Sequence, residues 1–525
     1  MATVLIADKL SPLAKEIFER QGVEADVKVG LSEDELIAII DRYDGLAVRS
    51  ATKVTPAVLD AASSLKVIGR AGIGVDNIDI PAATQKGVVV MNTPFGNSIT
   101  TAEHAIAMMF SLARQIPVAN TSTHAGKWEK SRFMGVELTG KTLGIIGCGN
   151  IGSIVATRAL GLSMKVVAFD PFLTPERAVE LGVEKTDLEG LLARADFITL
   201  HTPLNDKTRG ILDASALQKA KKGVYIINCA RGGLVVEADL KTALEDGHVA
   251  GAALDVFVEE PARENALFGN ERVVATPHLG ASTQEAQENV AVQVAEQMAD
   301  YLNTGAVTNA INMPSVSAAE APLLKPYLDL AEKLGLFIGQ TTETGIKKIE
   351  IEYEGTVADL NIKPITAAAL SGVLRPLLTD INMVSAPVLA KDRGISVSEV
   401  RRGQEGVYET YMRVSVTTER QKRSVAGTLF SDGRPRIIQV NGIALDAPVS
   451  GHMLYVTNED KPGFIGSLGT ALGEAGVNIA TFNLGRAEPG GDALALIEVD
   501  GAPDAKTIRI LTELPLVKQA ISVSL

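Results

Sequence analysis

Three residues near the middle of the chain have the types that a hydride-transfer site uses: Arg231 in Arg231-Gly232-Gly233, Glu260 in Glu259-Glu260-Pro261, and His278 in Pro277-His278-Leu279. Oxidising an α-hydroxy acid requires a base for the hydroxyl proton, an acceptor for the hydride and a fixed carboxylate. An imidazole can take the proton, and a guanidinium can grip the carboxylate at two points and polarise the reacting carbonyl. Glu260 can orient the His278 ring and raise its pKa toward working pH. Other readings stay open at this stage. Glu259 can be that partner, both acids can form a solvated corner before Pro261, His278 can be an ordinary loop histidine, and Arg231 a surface cation on a turn.

The hydride acceptor is indicated upstream. Gly147-Cys148-Gly149-Asn150-Ile151-Gly152 follows the apolar run 143–146 and opens a helical stretch. In that context backbone amides at the helix start face a pyrophosphate, and the glycines let the chain turn and approach it. Asp170 lies 18 residues beyond Gly152, after the next apolar run. Its carboxylate can accept hydrogen bonds from ribose hydroxyls and repels a 2′-phosphate, which favours NAD over NADP.

These side chains need a scaffold to bring them together. From Lys66 to His278 short apolar runs alternate with helical patterns, which predicts an α/β fold with a parallel sheet covered on both faces. Asp170, Thr202 with Pro203, Cys229 with Arg231, Asp255 and His278 each follow such a run. Ligands of open α/β sheets bind beyond the carboxyl ends of strands, so these positions converge on one crevice. Thr100 with Glu103, and Ser282 with Glu285, read as capping boxes that begin two long helices. The first leaves an N-terminal α/β segment that starts with a strand at 3–7, and the second returns to it. The result is a split domain, 1–98 with 283–313, around a second domain, 99–282, with a cleft between them that can hinge shut.

Pro314, Pro322 and Pro326 then read as a linker. Beyond it Ile349, Ile351 and Tyr353 alternate as a strand, Leu370, Val373, Leu374, Leu377 and Leu378 have helical spacing, and Asp432-Gly433 and Asn441-Gly442 mark turns. This is a separate α+β domain over 318–449. A strand, helix, strand, strand, helix, strand order follows over 452–525.

Among 525 residues the formal charge is -13, which argues against nonspecific binding to nucleic acid or an anionic membrane. Two cysteines are poor material for a disulfide framework, and no apolar run approaches membrane length, so the chain reads as a mature cytoplasmic protein. No metal-ligand cluster is visible. His104, inside a predicted helix, is given a packing role, as are His124 and His201 nearer the crevice.

The motifs taken together resemble the D-isomer-specific 2-hydroxyacid dehydrogenases, in their long form acting on 3-phospho-D-glycerate. They are Gly72-Ile73-Gly74-Val75-Asp76-Asn77, Asn92-Thr93-Pro94, the glycine fingerprint, Asn228-Cys229-Ala230-Arg231-Gly232-Gly233, Ala253-Leu254-Asp255-Val256 and Pro277-His278-Leu279-Gly280-Ala281, and the likeness runs the length of the chain. It implies two Rossmann-like or flavodoxin-like parallel-sheet domains, an intervening α+β domain and a C-terminal ferredoxin-like ACT domain. It makes Arg231, Glu260 and His278 catalytic, with His278 as acid/base. It places the cofactor NAD on Gly147, Gly149, Asn150, Ile151, Gly152, Asp170, Thr202, Pro203, Cys229, Ala230, Arg231, Asp255, His278, Gly280 and Ala281. Ile73 departs from relatives that carry a hydroxyl there. Arg49, Arg70, Gly72, Gly74 and Asn97 are implied substrate residues, and Arg132 resembles a residue that reaches a neighbouring subunit's site. Asp460 and Asn478 match ACT positions that hold an amino acid, here L-serine as a feedback effector. The implied assembly is a homo-oligomer, dimer or tetramer. Competing expectations are a reductase of hydroxypyruvate, glyoxylate or 2-oxoglutarate, and an NAD-sensing corepressor-like binding protein.

Overall fold

The computed structural model describes residues 1–525 except Ala318, Thr344, Thr379, Asp380, Gln404, Glu405, Val407 and Ser450. Ala318, where the sequence puts the start of the third unit, therefore lies outside the described residues.

Strands β1 (Thr3–Ile6), β2 (Glu24–Val27), β3 (Gly45–Val48), β4 (Val67–Arg70) and β5 (Val89–Asn92) form a parallel sheet in the order β2-β1-β3-β4-β5. The order reverses between β1 and β3, so the segments after these two strands, with Asp8 and Arg49, flank a crevice. Seven more parallel strands form a second sheet: β6 (Thr142–Ile146), β7 (Lys165–Phe169), β8 (Glu184–Lys185), β9 (Phe197–Leu200), β10 (Val224–Asn228), β11 (Val249–Leu254) and β12 (Val273–Ala275). Their order is β12-β11-β10-β9-β6-β7-β8, reversing between β6 and β9. The central strands are buried, as their unbroken apolar runs require of a sheet covered on both faces.

Two helices link the sheets. Ser98–Ala113 leaves the first and packs against β10, β11 and β12, while Gln284–Thr304 returns and lays Val294 and Met298 over β3 and β4. Glycine is required for that approach: a Cβ on Gly69 would lie 2.2 Å from Met298 Sδ. Both expected caps are corrected. Ser98 donates its hydroxyl to Pro94 O and Asn97 O accepts from Thr101 N, so Thr100 is already helical and cannot cap. Ser282 closes a turn onto Leu279 O, which leaves Thr283 as the capping residue, its hydroxyl accepting from Ala286 N at 3.2 Å. The two helix starts meet where Thr100 Oγ1 lies 3.4 Å from Thr283 Oγ1.

The expected proline linker is shorter than its sequence suggests, because Pro322 and Pro326 fall inside the helix Ala321–Gln340. Pro322 sits in the first turn, where its missing N–H matters little, and Pro326 removes one interior bond. Tight packing compensates: Gly335 and Gly372 let this helix and Ile362–Leu374 meet so closely that a Cβ on either would strike backbone within 2.3 Å. The pair covers a six-stranded sheet, β13 (Ile346–Gly355), β14 (Ser396–Arg402), β15 (Thr410–Thr418), β16 (Lys422–Leu429), β17 (Pro435–Val440) and β18 (Ile443–Pro448), ordered β14-β13-β15-β16-β17-β18 with only β13 and β14 parallel. Asn441 and Gly442, with φ of 49° and 84°, make the expected tight hairpin.

The last unit is a βαββαβ fold, with β19 (His452–Glu459), β20 (Ile479–Arg486), β21 (Asp492–Val499) and β22 (Val517–Ser524) antiparallel in the order β20-β21-β19-β22. It is fastened to the third unit by an edge-on ring pair, Phe337 with Tyr455 at 5.7 Å, and by two bonds exchanged between Gln340 and Ser524. The third unit in turn touches the first, where Asn382 Nδ2 donates to Gly87 O at 2.9 Å. Among the described residues no helix is long and apolar enough to cross a membrane.

Candidate active site

At the end of β6, Gly147 has φ +93°, and a Cβ there would lie 2.6 Å from His201 O, so the ends of β6 and β9 close on each other at the reversal point. Gly149 then opens the helix Asn150–Gly161 with no side chain on its first amides. Gly152 completes the cradle, since a Cβ would sit 2.1 Å from Gly147 O. A helix start stripped of side chains in this way fits a pyrophosphate. Asp170, just past β7, braces the turn by accepting from Cys148 N at 2.8 Å and from Phe172 N at 2.7 Å. Asn150 and Ile151 lie in the helix's first turn, Thr202 and Pro203 follow β9, and Cys229 and Ala230 follow β10, all at the same end of the sheet. Burial pushes the Cys148 thiol up to about 11 and that of Cys229 higher still, so neither is a thiolate nucleophile.

Beyond β12 the chain presents His278. Its Nδ1 lies 2.7 Å from Glu260 Oε2, and Glu260 Oε1 accepts from Phe257 N at 3.0 Å, which fixes the carboxylate. The partner is thus Glu260 and not Glu259. Arg231 reaches from the second sheet to the first: its Nε donates to Asp76 Oδ2 at 2.9 Å and its Nη1 to Ala230 O at 2.7 Å. Gly74 lets the Arg231 guanidinium lie against the backbone, as a Cβ there would fall 1.5 Å from Arg231 Nη2, and a Cβ on Gly72 would fall 1.6 Å from Arg70 Nη1. Two guanidiniums therefore lie across the Gly72-Ile73-Gly74 turn. Burial, together with the positive charges of Arg231 and Arg49, lowers Arg70 to about 10, and its Nε has no partner.

Arg49 is held at the end of β3 by Asp8, a buried residue that accepts from Arg49 N at 2.6 Å and from the Thr52 hydroxyl at 2.7 Å. Asn97 and Thr93 are buried with Asn97 Oδ1 and Thr93 Oγ1 unpartnered. Three guanidiniums converge here beside unmet polar atoms, partly offset by the carboxylates of Asp76 and Asp8, an arrangement suited to an anionic ligand. Asp8 was not singled out from sequence, and Asp76 and Thr93 entered only inside motifs, with no role given to them. Asp8 has a partial signal in its place, two residues past the end of β1 in a sheet of this order.

Asp255 is bonded to two other cofactor candidates, His278 and Gly280, with its carboxylate turned to the protein interior. It is fully buried, and its carboxylate is taken up by Leu279 N at 2.7 Å, Gly280 N at 2.8 Å, the Thr276 hydroxyl at 2.6 Å and His104 Nε2 at 3.2 Å. Burial alone would raise its pKa, but the bonds from His104, Thr276 and Leu279 N outweigh it and hold the carboxyl below its ordinary value. His104 is therefore more than packing, a contact invisible from its position in a helix.

Two further sets of expected residues are placed by the single chain, which does not test their roles between subunits. Arg132 pairs with Glu129 and Glu271, the latter just ahead of β12, so it lies at the amino end of the sheet and away from this chain's arginine cluster. Asp460 accepts from Arg486 Nη1 and Gly490 N beside the Glu459–Asp492 pair, whereas Asn478 donates to Asp500 beyond the Ile479–Val499 pair. Nearly the whole of β21 separates them, roughly 25 Å at ~3.3 Å per residue. One chain cannot close both around one amino acid.

His201 does serve packing. Its Nε2 pairs with the Thr199 hydroxyl at 2.9 Å, and burial lowers its pKa from 6.5 to about 4. The folded chain then refuses a proton that the unfolded chain binds, so stability is full above pH 6.5 and is lost as pH falls toward 4. We expect His201→Gln to flatten this stretch of a Tm-against-pH curve. An unchanged acid slope would remove His201 as its source. His248 caps Ala220 O, His452 bonds Ser524, and His124 is exposed.

Three family models match the chain: the NAD binding domain of D-isomer specific 2-hydroxyacid dehydrogenases over residues 106–280, the D-3-phosphoglycerate dehydrogenase intervening domain over 323–441, and the ACT domain over 452–516. The D-3-phosphoglycerate dehydrogenase of Bacillus subtilis is 45% identical over 98% of both chains, and that of Archaeoglobus fulgidus 42% identical over 99% of this chain and 100% of its own. Among solved structures, a glyoxylate reductase from Paecilomyes thermophila superposes with a TM-score of 0.56 at 31% identity, covering 59% of this chain and 98% of its own. The TT0316 protein of Thermus thermophilus gives 0.55 at 32% identity, covering 59% and 99%. With its two Rossmann-like sheets, intervening unit and ACT unit in this order, the chain belongs to the D-3-phosphoglycerate dehydrogenases of the D-isomer specific 2-hydroxyacid dehydrogenase family.

Proposed function

We propose that the chain oxidises 3-phospho-D-glycerate to 3-phosphooxypyruvate with NAD, the step that enters serine synthesis. The observation that carries this is the gathering of Arg49, Arg70 and Arg231 about the glycine turn at 72–74, with Arg231 coming from the same unit as the His278–Glu260 pair, because the substrate carries two anions that flank one reacting carbon. In this reading the split first unit holds substrate and the second holds the dinucleotide, which when bound supplies the hydride acceptor. Arg231 holds the carboxylate and the polarised oxygen, and the Arg49–Arg70 side takes the phosphate. With Nδ1 engaged by Glu260, Nε2 of His278 accepts the hydroxyl proton, and the Glu260 carboxylate stabilises the imidazolium that forms. Both domains must close on the substrate, which fits Arg231 bridging them.

Cofactor choice follows from Asp170. We expect Asp170→Ala to raise the kcat/KM ratio of NADP to NAD by at least about tenfold, since a carboxylate that repels a 2′-phosphate is gone. A ratio unchanged within twofold would assign discrimination elsewhere.

The ACT unit is proposed to bind L-serine between two chains of a homo-oligomer, with Asp460 of one and Asn478 of another, since they stand at opposite ends of one sheet. The test of the whole reading is NAD reduction with 3-phosphoglycerate at alkaline pH, coupled to product removal, with and without L-serine. Expected are turnover, its suppression by serine, and loss of suppression in Asp460→Ala and Asn478→Ala. Intact NADH binding without turnover on any 2-hydroxy acid would leave a binding protein, and faster turnover of the unphosphorylated acid would leave a general 2-oxo acid reductase. Inhibition that survives both substitutions would place the effector elsewhere.

A further inference from the structure

His278 sits in the left-handed region, with φ of 55°, on a short loop between β12 and the returning helix. A side chain larger than glycine keeps such a backbone only where the surroundings over-determine it. Here the surroundings centre on one residue, Asp255, through both its carboxylate and its backbone oxygen. Asp255 accepts from the amides of Leu279 and Gly280 and from the Thr276 hydroxyl, while His278 N donates to Asp255 O at 2.9 Å and to Thr276 O at 3.0 Å. Every residue from Thr276 to Gly280 except Pro277 is thus tied to Asp255. That carboxylate has no access to solvent, and the side-chain nitrogen that reaches it is His104 Nε2 at 3.2 Å. A buried charge deprived of a partner shifts or is expelled rather than waits in place.

His104 comes from the helix Ser98–Ala113, and one turn earlier Thr101 Oγ1 donates to Gly280 O at 2.9 Å. The helix that begins at the substrate candidate Asn97 therefore holds the His278 loop at two points on one face. We propose that His104 is a positioning residue for the dehydrogenase reaction: by fixing the Asp255 carboxylate it sets the loop that aims His278, without touching substrate or cofactor. This rests on His278 as the proton acceptor.

Gln and Met are near-isosteres that separate hydrogen bonding from packing, since Gln carries an amide N–H close to the Nε2 position and Met fills the same space without a donor. In the full chain, His104→Met is expected to lower kcat with 3-phosphoglycerate at least tenfold while the NADH Kd and the substrate KM stay within about threefold. His104→Gln is expected to keep kcat within about threefold of wild type. A Met variant as active as wild type, or Met and Gln variants equally impaired, would overturn the inference, because packing alone would explain either. Should the Met variant not fold, Thr276→Val, which removes the hydroxyl bond to the same carboxylate oxygen, is expected to lower kcat several-fold at unchanged NADH affinity, and no change would overturn it likewise. A wild-type chain that fails to oxidise any 2-hydroxy acid would instead sink the reading of His278, and this inference with it.

Discussion

His278→Ala is expected to lower kcat by about 10³-fold while the NADH Kd moves less than threefold. In the proposed mechanism the imidazole is the proton acceptor. Paired through Nδ1 with Glu260 at 2.7 Å, it has one nitrogen left for the substrate proton. Positioned acid/base groups contribute about 10²–10⁴-fold, and here the base is also oriented by a carboxylate that is itself anchored to Phe257 N. The glycine cradle at 147–152 follows a different strand, so most of the cofactor affinity is expected to survive loss of this one contact. Stopped-flow turnover with parallel NADH fluorescence titration checks both halves. Turnover within tenfold of wild type would remove His278 from proton transfer.

The second large effect is expected at Arg231, where Lys lowers kcat/KM about 10²-fold and Gln about 10³-fold. Lysine keeps the charge but not the fork, and a two-point grip on a carboxylate depends on the fork. Charged hydrogen bonds are each worth ~1.5–3 kcal/mol, so two of them account for factors of this size. The loss is expected in kcat as well as KM, because the same group steadies the oxygen that becomes the carbonyl. A change confined to KM would reduce Arg231 to a binding residue.

How far these residues were legible beforehand depended on how local their causes are. Six of the seven strands of the second sheet follow short apolar runs because burial on both faces writes itself that way, whereas β8, two exposed charged residues, leaves no such run. Helix starts were misplaced by one to three residues at Thr100 and Ser282, since a capping pattern does not reveal which hydroxyl stays outside the helical backbone. Pro322 and Pro326 signalled a linker because a helix stitched together by glycine contacts with a distant helix has no local signature. In the site, Arg231 and His278 stood out by type and by place after strands, whereas the choice of Glu260 over Glu259 rested on the family likeness until the His278–Glu260 contact was seen. The His104 bond to Asp255 spans 151 residues of sequence and needed the fold to become visible. The distance between Asp460 and Asn478 was hidden for a related reason: it is fixed by the register of β21 against two neighbours, which short motifs do not encode.

The contact between Arg231 and Asp76 changes what it means for an acid to bind. Should Arg231 grip the substrate carboxylate through Nε as proposed, that nitrogen already donates to Asp76 Oδ2, so such uptake exchanges one anion for another and does not simply add one. Asp76 is two-thirds exposed, and ion pairs of that kind are worth only ~0–1 kcal/mol, so the resident is easily displaced. The affinity of the cleft at this position is therefore a difference between two ion pairs. Added salt weakens both, and the difference should feel ionic strength far less than the number of arginines suggests.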